Sequence, residues 1–383
     1  MATKYTVGVY YFPNYHVDPR NEKKHGIGWT EWELMKTARP RFDGHRQPRV
    51  PLWGYEDEAD PLVMEKKIDA AADHGVDYWL FDWYWYDDGP FLNRCLDEGY
   101  MQAQNNERVK FCCHWANHHW INLHPAKHND PRMTDYSGTI TSQTFDEMTS
   151  FIVENYFKHP SHFNVEGCPY FSIYDLTRLL ESFGGVKETR RALAAFRSKT
   201  QAAGFPDLHL NAVVWGNTVL PGEEIIADPA QLVKDLGFSS VTSYVWIHHV
   251  AMPDFPLTDY MWVCDQYLAY WDKAEQTFDL PYIPNATMGW DSSPRTVQSD
   301  RFELVGYPFT PIMAENTPER FHEALLKIRT RMDQRTGSAL PTMNINAWNE
   351  WTEGSYLEPD TEYGMGYLEA IRDVFGYNTE GCD

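Results

Sequence analysis

Short, almost uninterrupted apolar runs recur along the chain, and each is followed by a segment that reads as a helix. The eight runs are Thr6–Phe12, Val76–Trp83, Val109–Trp115, Pro169–Tyr174, Leu208–Trp215, Ser240–Trp246, Tyr282–Met288 and Thr342–Trp348. Runs that are apolar nearly throughout are typical of parallel strands covered on both faces. The pattern therefore predicts eight buried parallel strands.

The segments between the runs carry the end signals of helices. Residues 60–75 open with Asp60 and Pro61 and stop at Gly75, and residues 317–337 open with Thr-Pro and stop at Gly337. Residues 188–204 and 258–276 follow the same pattern. Strand and helix alternating eight times predict a closed (β/α)8 barrel of the TIM type, with a doubly wound open sheet as the second choice.

Residues 1–383 contain no linker-like or low-complexity stretch, so we expect a single domain. The first connection, from about Asn14 to Asp60, is long for a loop between a strand and a helix. In TIM barrels the active site lies at the carboxyl ends of the strands. A long loop there is expected to be functional.

Composition narrows the possible partners. The chain has 33 Lys and Arg against 55 Asp and Glu, a net charge of −22, which disfavours nucleic acid and anionic membrane surfaces. Its 15 Trp and 23 Tyr exceed what a core alone needs. Such side chains combine a flat apolar face with a hydrogen-bonding tip, as sugars require, although a Trp-rich core explains the counts equally well.

Neither a metal nor an organic cofactor is expected. The six cysteines form no CxxC pair and read as buried free thiols of a reducing compartment. His114, His118 and His119 lack the spacing of a metal site and are expected to be hydrogen-bonding groups. No signal peptide is visible before the first strand, so a cytoplasmic protein is expected, with a periplasmic or secreted one as the alternative if a leader has been removed.

Most strand ends pair an aromatic residue with a carboxylate, amide or imidazole, which predicts a sugar-binding cleft. We expect Trp83, Trp85, Trp246 and Trp290 foremost to stack on sugar rings. Asp82 is expected to bind sugar hydroxyls, with a buried structural role as its alternative. The remaining candidates for substrate binding at these ends are Tyr11, His114, Asn117, His118, Tyr174, Tyr244, Asn349 and Trp351.

The sharpest motif is Asn-Glu-Trp-Thr-Glu-Gly at 349–354, directly after the eighth apolar run. Glu350 and Glu353 stand three residues apart in a turn, a spacing that can bring both carboxylates into one cleft. Two carboxylates in different environments can divide acid and base roles, as glycoside hydrolysis demands. The plain alternative is a pair of exposed loop glutamates.

Two long motifs resemble a known family. The segments GWTEWELMKTARPRFDGHRQPRVP (28–51) and NAWNEWTEGSYLEPD (346–360), with the opening YYFPNYH and the closing YLEAI, are similar to the WbsX family. That family is often labelled glycosyltransferase and is related to the endo-mannosidases of glycoside hydrolase family 99. The resemblance extends from Val9 to Ile371.

The resemblance implies a (β/α)8 barrel that cleaves glycosides with retention and without an enzyme nucleophile. Glu350 would take the proton of the sugar 2-hydroxyl, which attacks the anomeric carbon to give a 1,2-anhydro sugar. Glu353 would protonate the leaving oxygen and then activate water. In the first loop, Glu31 and Trp32 would reach the subsite of the cleaved sugar; an ion pair of Glu31 with Arg39 or Arg41 is an equal alternative.

Three functions follow, and a glycoside hydrolase acting on a polysaccharide or glycan is favoured. A glycosyltransferase is the second, but the chain lacks the GxGxxG motif of a dinucleotide fold. A carbohydrate-binding barrel without catalysis is the third, and it would not need both Glu350 and Glu353.

Overall fold

A computed structural model describes residues 5–335 and 340–376. The expected helix stop at Gly337 and the sixth cysteine, Cys382, lie outside these ranges. The other cysteines are unpaired thiols, as expected; four are buried and Cys168 is half-buried.

Eight strands form the centre of the fold, and they coincide with the eight apolar runs. They are β1 (Thr6–Tyr11), β2 (Tyr78–Tyr86), β3 (Lys110–Trp115), β4 (Cys168–Ile173), β5 (His209–Val213), β6 (Ser240–Thr242), β7 (Tyr282–Ile283 and Asn285–Thr287) and β8 (Thr342–Asn346). Every pairing between consecutive strands is parallel.

The sheet closes into a barrel through the pairings of β7 and β8. β1 pairs with β8 from Thr6 opposite Thr342 to Val9 opposite Ile345. β7 is interrupted at Pro284, and its first half pairs with β6 while its second half pairs with β8. The interrupted strand therefore completes the barrel, and the predicted TIM-type fold is confirmed while the open sheet is not.

Helices surround this barrel. Within the described residues they are α1 (Pro19–His25), α2 (Trp32–Thr37), α3 (Pro61–Asp73), α4 (Ser142–Ile152), α5 (Leu176–Phe183), α6 (Val186–Ala202), α7 (Pro229–Leu236), α8 (Tyr260–Thr277), α9 (Pro318–Gln334) and α10 (Gly366–Phe375). The predicted start of α3 is confirmed, because the Asp60 side chain accepts from the Leu62 amide. Between β2 and β3 the helical structure is limited to short turns of 3-10 and π geometry, at 95–102 and 106–108.

Short paired segments lie beyond the barrel strands. They are Gly89–Phe91, Trp120–Ile121 with Thr134–Tyr136, Asn164–Val165, Leu257–Asp259 with Ile312–Ala314, and Asn349–Glu350 with Ser355–Tyr356. The long first loop holds α1 and α2 and packs over the carboxyl end of the barrel. Within the described residues, no helix combines the length and the apolar character that crossing a bilayer requires.

Candidate active site

A cavity opens at the carboxyl ends of the barrel strands, and the space in it that is open to the centres of water molecules is about 70 Å³. Its polar lining consists of Asp82, Tyr84, His114, His118, His119, His124, Tyr174, Tyr244, His248, Arg295, Glu350 and Glu353. Its apolar lining consists of Phe12, Ala116, Trp120, Ile121, Leu123, Val219, Leu220, Val245 and Trp290.

The turn after β8 brings both motif glutamates into this cavity. Glu350 ends a two-residue strand and Glu353 ends the following 3-10 turn, and both are almost fully buried. The Arg295 guanidinium joins them: Nη2 donates to Glu350 Oε2 at 3.0 Å and Nη1 donates to Glu353 Oε1 at 2.6 Å. The spacing expectation is therefore met, and the two are not exposed loop residues.

A third carboxylate shares the same arginine. Arg295 Nε donates to Glu31 Oε1 at 3.0 Å, while Asn14 Nδ2 donates to Glu31 Oε2 at 2.6 Å. Burial would raise the pKa of Glu31, but Arg295 and His124 hold it below its ordinary value. Glu31 therefore pairs with Arg295 rather than with Arg39 or Arg41, and it holds Arg295 in place from outside the cavity lining.

The two motif glutamates differ in their hydrogen bonds. Burial raises the pKa of both, and the charge of Glu353 raises that of Glu350 further, well above its ordinary value. Arg295 opposes the rise in both groups, and at Glu353 the Tyr307 hydroxyl, which donates to Oε1, opposes it as well. These hydrogen bonds favour the negative charge on Glu353, so protonation of the pair is favoured at Glu350.

Beside this pair, two residues of the cavity lining each have a buried polar atom without a protein partner. The β2–β3 register places Asp82 opposite His114. Tyr244 donates to Asp82 Oδ2 at 3.0 Å, while Asp82 Oδ1 is unpartnered. Burial raises the pKa of Asp82 well above its usual range, which favours the protonated carboxyl. A protonated carboxyl can both donate to and accept from a ligand hydroxyl.

His114 offers a fixed acceptor next to it. Ser172 Oγ donates to Asn211 Oδ1 at 3.0 Å, so the 2.9 Å contact with His114 Nδ1 is donated by the histidine. Its Nε2 has no partner and is an acceptor at the cavity wall. Burial lowers the pKa of His114 to about 3, so the ring is neutral at physiological pH.

Strand alternation decides which aromatic residues reach the cavity. Asp82 and Tyr84 face inward, so Trp83 and Trp85 must face outward. Trp83 packs on Trp85 with ring centroids 5.3 Å apart, and Trp85 packs 5.3 Å from Phe151 of α4. Neither lines the cavity, contrary to the expectation that they stack on sugars. Of the four tryptophans named foremost, Trp290 alone lines it.

Other predicted residues lie in the surrounding structure. Trp246 is buried between Tyr260 and Tyr267, with centroids 5.4 and 5.5 Å away. The Asn117 side chain is hydrogen-bonded to the backbone of Asp175. Its Nδ2 donates to the Asp175 carbonyl and its Oδ1 accepts from the Asp175 amide, at 2.7 Å each. Both expectations of a place at the cleft are therefore unmet. His118, Tyr174 and Tyr244 do line the cavity.

Four more predicted residues form a layer directly behind the motif. Trp351 stacks on Tyr356 at 3.7 Å, and Trp32 packs 6.0 Å from Trp351. Asn349 clamps the end of β1, exchanging two 2.7 Å hydrogen bonds with the Phe12 backbone. Tyr11 faces outward and donates to Glu58 at 2.9 Å. These residues contact the motif or its supports, not the cavity.

A buried ionic cluster supports this layer. Lys67 Nζ lies 2.6 Å from Glu58 Oε1 and 2.5 Å from Glu358 Oε1. Glu358 accepts from the indoles of Trp348 and Trp351 at 2.9 and 2.7 Å, and Glu58 accepts from Asn349 Nδ2 at 2.9 Å. We call Lys67, Glu58 and Glu358 the support cluster. Through these hydrogen bonds the support cluster fixes Asn349 and Trp351, the residues on either side of Glu350 in the sequence.

Gly354 lets the motif turn pass close to the segment after β7. Its φ is +65°, and an added Cβ would lie 2.7 Å from Asp291 Cβ and 2.9 Å from the Asp291 amide nitrogen. Gly364 provides a matched position, with a φ of +57° and open space around its Cβ position. The two glycines therefore separate backbone strain from steric conflict.

We expect Gly354→Ala to be clearly more destabilising than Gly364→Ala. The positive φ should cost about 1–2 kcal/mol in either variant. At Gly354 the contact with backbone atoms should add roughly 1–3 kcal/mol. Urea unfolding of the two variants measures the difference, and equal losses would show that the contact at Asp291 relaxes without cost.

Sequence reasoning did not select Arg295 or Tyr307, although both contact Glu353. Arg295 ends the segment MGWDSSPR after β7, and a basic residue beside acidic motifs in a chain this acidic was the available signal. Tyr307 lies in a loop with no such signal. Among the described residues, no group of three or more His, Cys, Asp or Glu is arranged to hold a metal ion. That no cofactor is needed stays a prediction.

Comparison with known proteins places the chain. The model of the family described as Glycosyltransferase WbsX matches residues 7–371. The chain belongs to the WbsX family. The resemblance read from the two long motifs is thereby confirmed.

Two curated relatives of this WbsX protein are named Uncharacterized protein WxcX, from Xanthomonas campestris pv. campestris strains B100 and ATCC 33913. Each is 27% identical over 372 residues, which is 96% of this chain and 49% of the relative. The WbsX chain therefore spans about half the length of these relatives.

Solved structures share the fold of the WbsX barrel. The GH99 endo-alpha-mannosidase from Bacteroides thetaiotaomicron is 16% identical, with 97% of this chain and 96% of that chain covered and a TM-score of 0.57. A glycoside hydrolase-like protein is 14% identical, with 98% and 95% covered and a TM-score of 0.61. At these identities the likeness is one of fold alone.

Proposed function

We propose that this WbsX protein is a retaining glycoside hydrolase that cleaves a glycosidic bond in a polysaccharide or glycan. The observation that carries the proposal is the placement of Glu350 and Glu353. Both carboxylates lie on one guanidinium, buried at the carboxyl end of the barrel, and they differ in hydrogen bonding. Paired carboxylates with unlike environments are the machinery of glycoside cleavage.

The proposed reaction uses the substrate's own 2-hydroxyl as nucleophile. Glu350 takes the proton of the 2-hydroxyl while the 2-oxygen of the sugar attacks the anomeric carbon, giving a 1,2-anhydro sugar. Glu353 gives its proton to the departing glycosidic oxygen. Glu353 then removes a proton from water, which opens the three-membered ring at the anomeric carbon, and Glu350 returns its proton to the 2-oxygen.

The hydrogen bonds of the unliganded site favour the opposite distribution, with negative charge on Glu353 rather than on Glu350. Arg295 and Tyr307 both donate to Glu353 and so favour its charged form. Substrate binding must therefore move the proton, and we propose that the sugar displaces Arg295 from Glu353. Loss of that cation raises the pKa of Glu353 and lets it act as the acid.

The cavity walls suit a sugar in two further ways. Asp82 Oδ1 and His114 Nε2 are buried and unpartnered, which suits sugar hydroxyls. Phe12 and Trp290 supply flat apolar faces near Arg295, whose guanidinium carbon lies 5.3 Å from the Phe12 ring centroid. The 1,2-anhydro route favours a trans arrangement of the leaving group and the 2-hydroxyl, as in an α-mannoside.

A glycosyltransferase is the second candidate, and the family description favours it. Such an enzyme would use the same carboxylates but pass the sugar to an acceptor hydroxyl rather than to water. It would also require an activated donor. Product analysis separates the two functions because hydrolysis yields a new reducing end without any donor.

We expect release of reducing ends from α-mannan or a bacterial polysaccharide without nucleotide sugar, and no loss of activity with excess EDTA. The assay is run with and without nucleotide sugars, using Glu350→Gln as the inactive control. Chain extension that depends on a nucleotide sugar would assign the protein as a transferase instead. Activity lost in EDTA and restored by Ca²⁺ or Zn²⁺ would contradict a metal-free mechanism.

A further inference from the structure

A buried histidine of the cavity lining takes no part in the proposed reaction. His248 ends the 3-10 turn that follows β6, and it lines the cavity together with Tyr174 and Tyr244. Its ring centroid lies 6.0 Å from that of Tyr174 and 6.4 Å from that of Tyr244. The Tyr244 hydroxyl in turn lies 3.3 Å from Glu350 Oε1. Tyr244 therefore links His248 to the carboxylate pair.

A buried carboxylate lies next to this histidine. Glu223 Oε2 accepts from the backbone amides of Val219 and Leu220, at 2.6 and 3.0 Å. Glu223 Oε1 accepts from the Tyr174 hydroxyl at 2.5 Å and lies 3.5 Å from His248 Nε2. Burial would raise the pKa of Glu223, but His248 and the hydrogen bonds hold it below its ordinary value. The surroundings of Glu223 therefore favour its charged form, in which both oxygens can only accept.

These contacts decide which ring nitrogen of His248 carries hydrogen. The Tyr174 hydroxyl has a single hydrogen, which it donates to Glu223. The 3.4 Å contact between the Tyr174 hydroxyl oxygen and His248 Nε2 is therefore donated by the histidine. Glu223 Oε1 is a second acceptor for the same N–H group. When the ring is neutral, its other nitrogen, Nδ1, is consequently an acceptor.

The acceptor nitrogen of His248 has no protein partner. Within the described residues, Nδ1 is buried and makes no hydrogen bond. Buried polar atoms are rarely left unpaired, so a bound molecule is the expected source of the partner. Because no group of three or more His, Cys, Asp or Glu among these residues could hold a metal ion, that molecule should present a hydrogen-bond donor.

We infer that His248 Nδ1 accepts a hydrogen bond from a free hydroxyl group of the bound sugar, and that Glu223 sets this preference by keeping the hydrogen on Nε2. The inference rests on the proposed action on sugars and adds a recognition group to it. A hydroxyl can donate, whereas an O-methyl group, a fluorine or a carboxylate in its place would set one acceptor against another. The site is thereby selective for a sugar that is unsubstituted at this position. His248 contacts the sugar, and Glu223 is a positioning residue.

Glu223→Gln should move the hydrogen to the other nitrogen at almost constant side-chain size. The amides of Val219 and Leu220 need an acceptor, so they fix the glutamine oxygen at the position of Oε2. The NH2 group then faces Tyr174 and His248 and donates where the carboxylate accepted. The hydroxyl hydrogen of Tyr174 becomes free to be donated to His248 Nε2. Nε2 is then the acceptor, and Nδ1 carries the hydrogen.

Nitrogen-15 NMR of histidine-labelled protein at pH 8 reads this hydrogen position without any ligand. The His248 signals are identified by their loss in His248→Asn. We expect the hydrogen on Nε2 in the unmutated protein and on Nδ1 in Glu223→Gln. Glu224→Gln, at the next residue, whose side chain is 63% exposed, is the matched control and should keep it on Nε2. Hydrogen on Nδ1 of the unmutated protein, or an unchanged position in Glu223→Gln, would overturn the inference.

Isothermal titration in the Glu350→Gln background measures sugar binding without turnover. The probes are α-linked disaccharides of D-mannose, D-glucose, D-galactose and L-rhamnose, followed by the single deoxyfluoro analogues of the one that binds most tightly. At one hydroxyl we expect fluorine to weaken binding roughly tenfold to a hundredfold. Adding Glu223→Gln should shrink this penalty at least threefold, because Nδ1–H can donate to fluorine, whereas adding Glu224→Gln should leave it unchanged.

Two substitutions of the histidine itself separate the acceptor from the ring. Asparagine can place its side-chain oxygen near the position of Nδ1, so His248→Asn should bind the disaccharide within about threefold of its parent. His248→Phe keeps a ring without an acceptor and should bind roughly tenfold to a hundredfold more weakly. Circular dichroism melting checks that both variants fold, and equal binding by the two folded variants would contradict the role of Nδ1.

The results separate this inference from the proposed function. Release of reducing ends by the unmutated enzyme is scored independently. Sugar binding that depends on His248 Nδ1, without any turnover, would support the recognition group and refute the hydrolase. Turnover with a fluorine penalty that Glu223→Gln leaves unchanged would refute recognition by His248 and leave the hydrolase intact. Failure of all four disaccharides to bind would also overturn the inference.

Discussion

Glu350→Gln and Glu353→Gln should each lower kcat by about 10²–10⁴-fold while leaving the fold and sugar binding nearly unchanged. Glutamine keeps the size of each side chain and can still meet Arg295, but it cannot exchange a proton. Initial rates on a polysaccharide measure the loss, and titration with a product sugar checks binding. Wild-type rates in both variants would remove the catalytic role of the motif.

The two losses should differ in kind. A leaving group as good as 2,4-dinitrophenolate needs little protonation, so it should partly restore the first step in Glu353→Gln. It should not restore Glu350→Gln, because the 2-hydroxyl is still not activated. Rescue of Glu350→Gln instead would exchange the two roles. A covalent glycosyl-enzyme on either residue would refute attack by the 2-hydroxyl.

Lys67→Met should lower the free energy of unfolding by about 3–5 kcal/mol, the usual cost of removing one partner from a buried ion pair. Lys67 is 1% exposed and is the cation between Glu58 and Glu358. Without it, two carboxylates that hold Trp348, Asn349 and Trp351 face each other unpaired. Urea unfolding measures the loss, and kcat should fall with it because Glu350 lies between these anchors.

The adjacent residue is a matched control. Lys66 pairs with Glu56 at 2.5 Å, but its side chain is 38% exposed, so Lys66→Met should cost less than about 1 kcal/mol. Equal losses for Lys66→Met and Lys67→Met would contradict the role given to the support cluster.

The destabilisation by Lys67→Met should also depend on pH. Burial, and after it the charge of Glu358, raise the pKa of Glu58 to about 7 despite Lys67. A carboxyl with a raised pKa in the folded protein favours folding when protonated, so its contribution is lost as pH rises through that value. Removing Lys67 raises the pKa further. The variant should therefore lose less stability at pH 5 than at pH 8, and a loss independent of pH would contradict this.

The barrel could be predicted from the sequence because the pattern of its strands is repeated eight times. Each strand is buried on both faces, so eight separate apolar runs carried the same information. The interruption of β7 at Pro284 carried no such signal. Which halves pair with β6 and with β8 depends on closure of the whole barrel, a long-range property that no local pattern contains.

Only some of the residues of the candidate site could be predicted from the sequence. Asp82 and Trp83 are neighbours in sequence and were expected in one cleft, but the two-residue period of a strand sends them to opposite faces. Residue type marked Glu350 and Glu353, because few roles suit paired glutamates at a strand end. Arg295 was not predicted because its importance comes from three carboxylates that meet only in the folded protein. One of them, Glu31, lies 264 residues before it in the sequence.

The hydrogen bonds between Asn349 and the Phe12 backbone link segments that are 337 residues apart in the sequence. A nascent chain emerges from the ribosome amino end first. Asp82, His114 and Tyr174, which line the cavity from β2 to the end of β4, are therefore synthesised well before either glutamate of the motif. Because β8 closes the barrel by pairing with β1 and β7, a translation product that stops before β8 should contain neither a closed barrel nor the two glutamates of the proposed reaction.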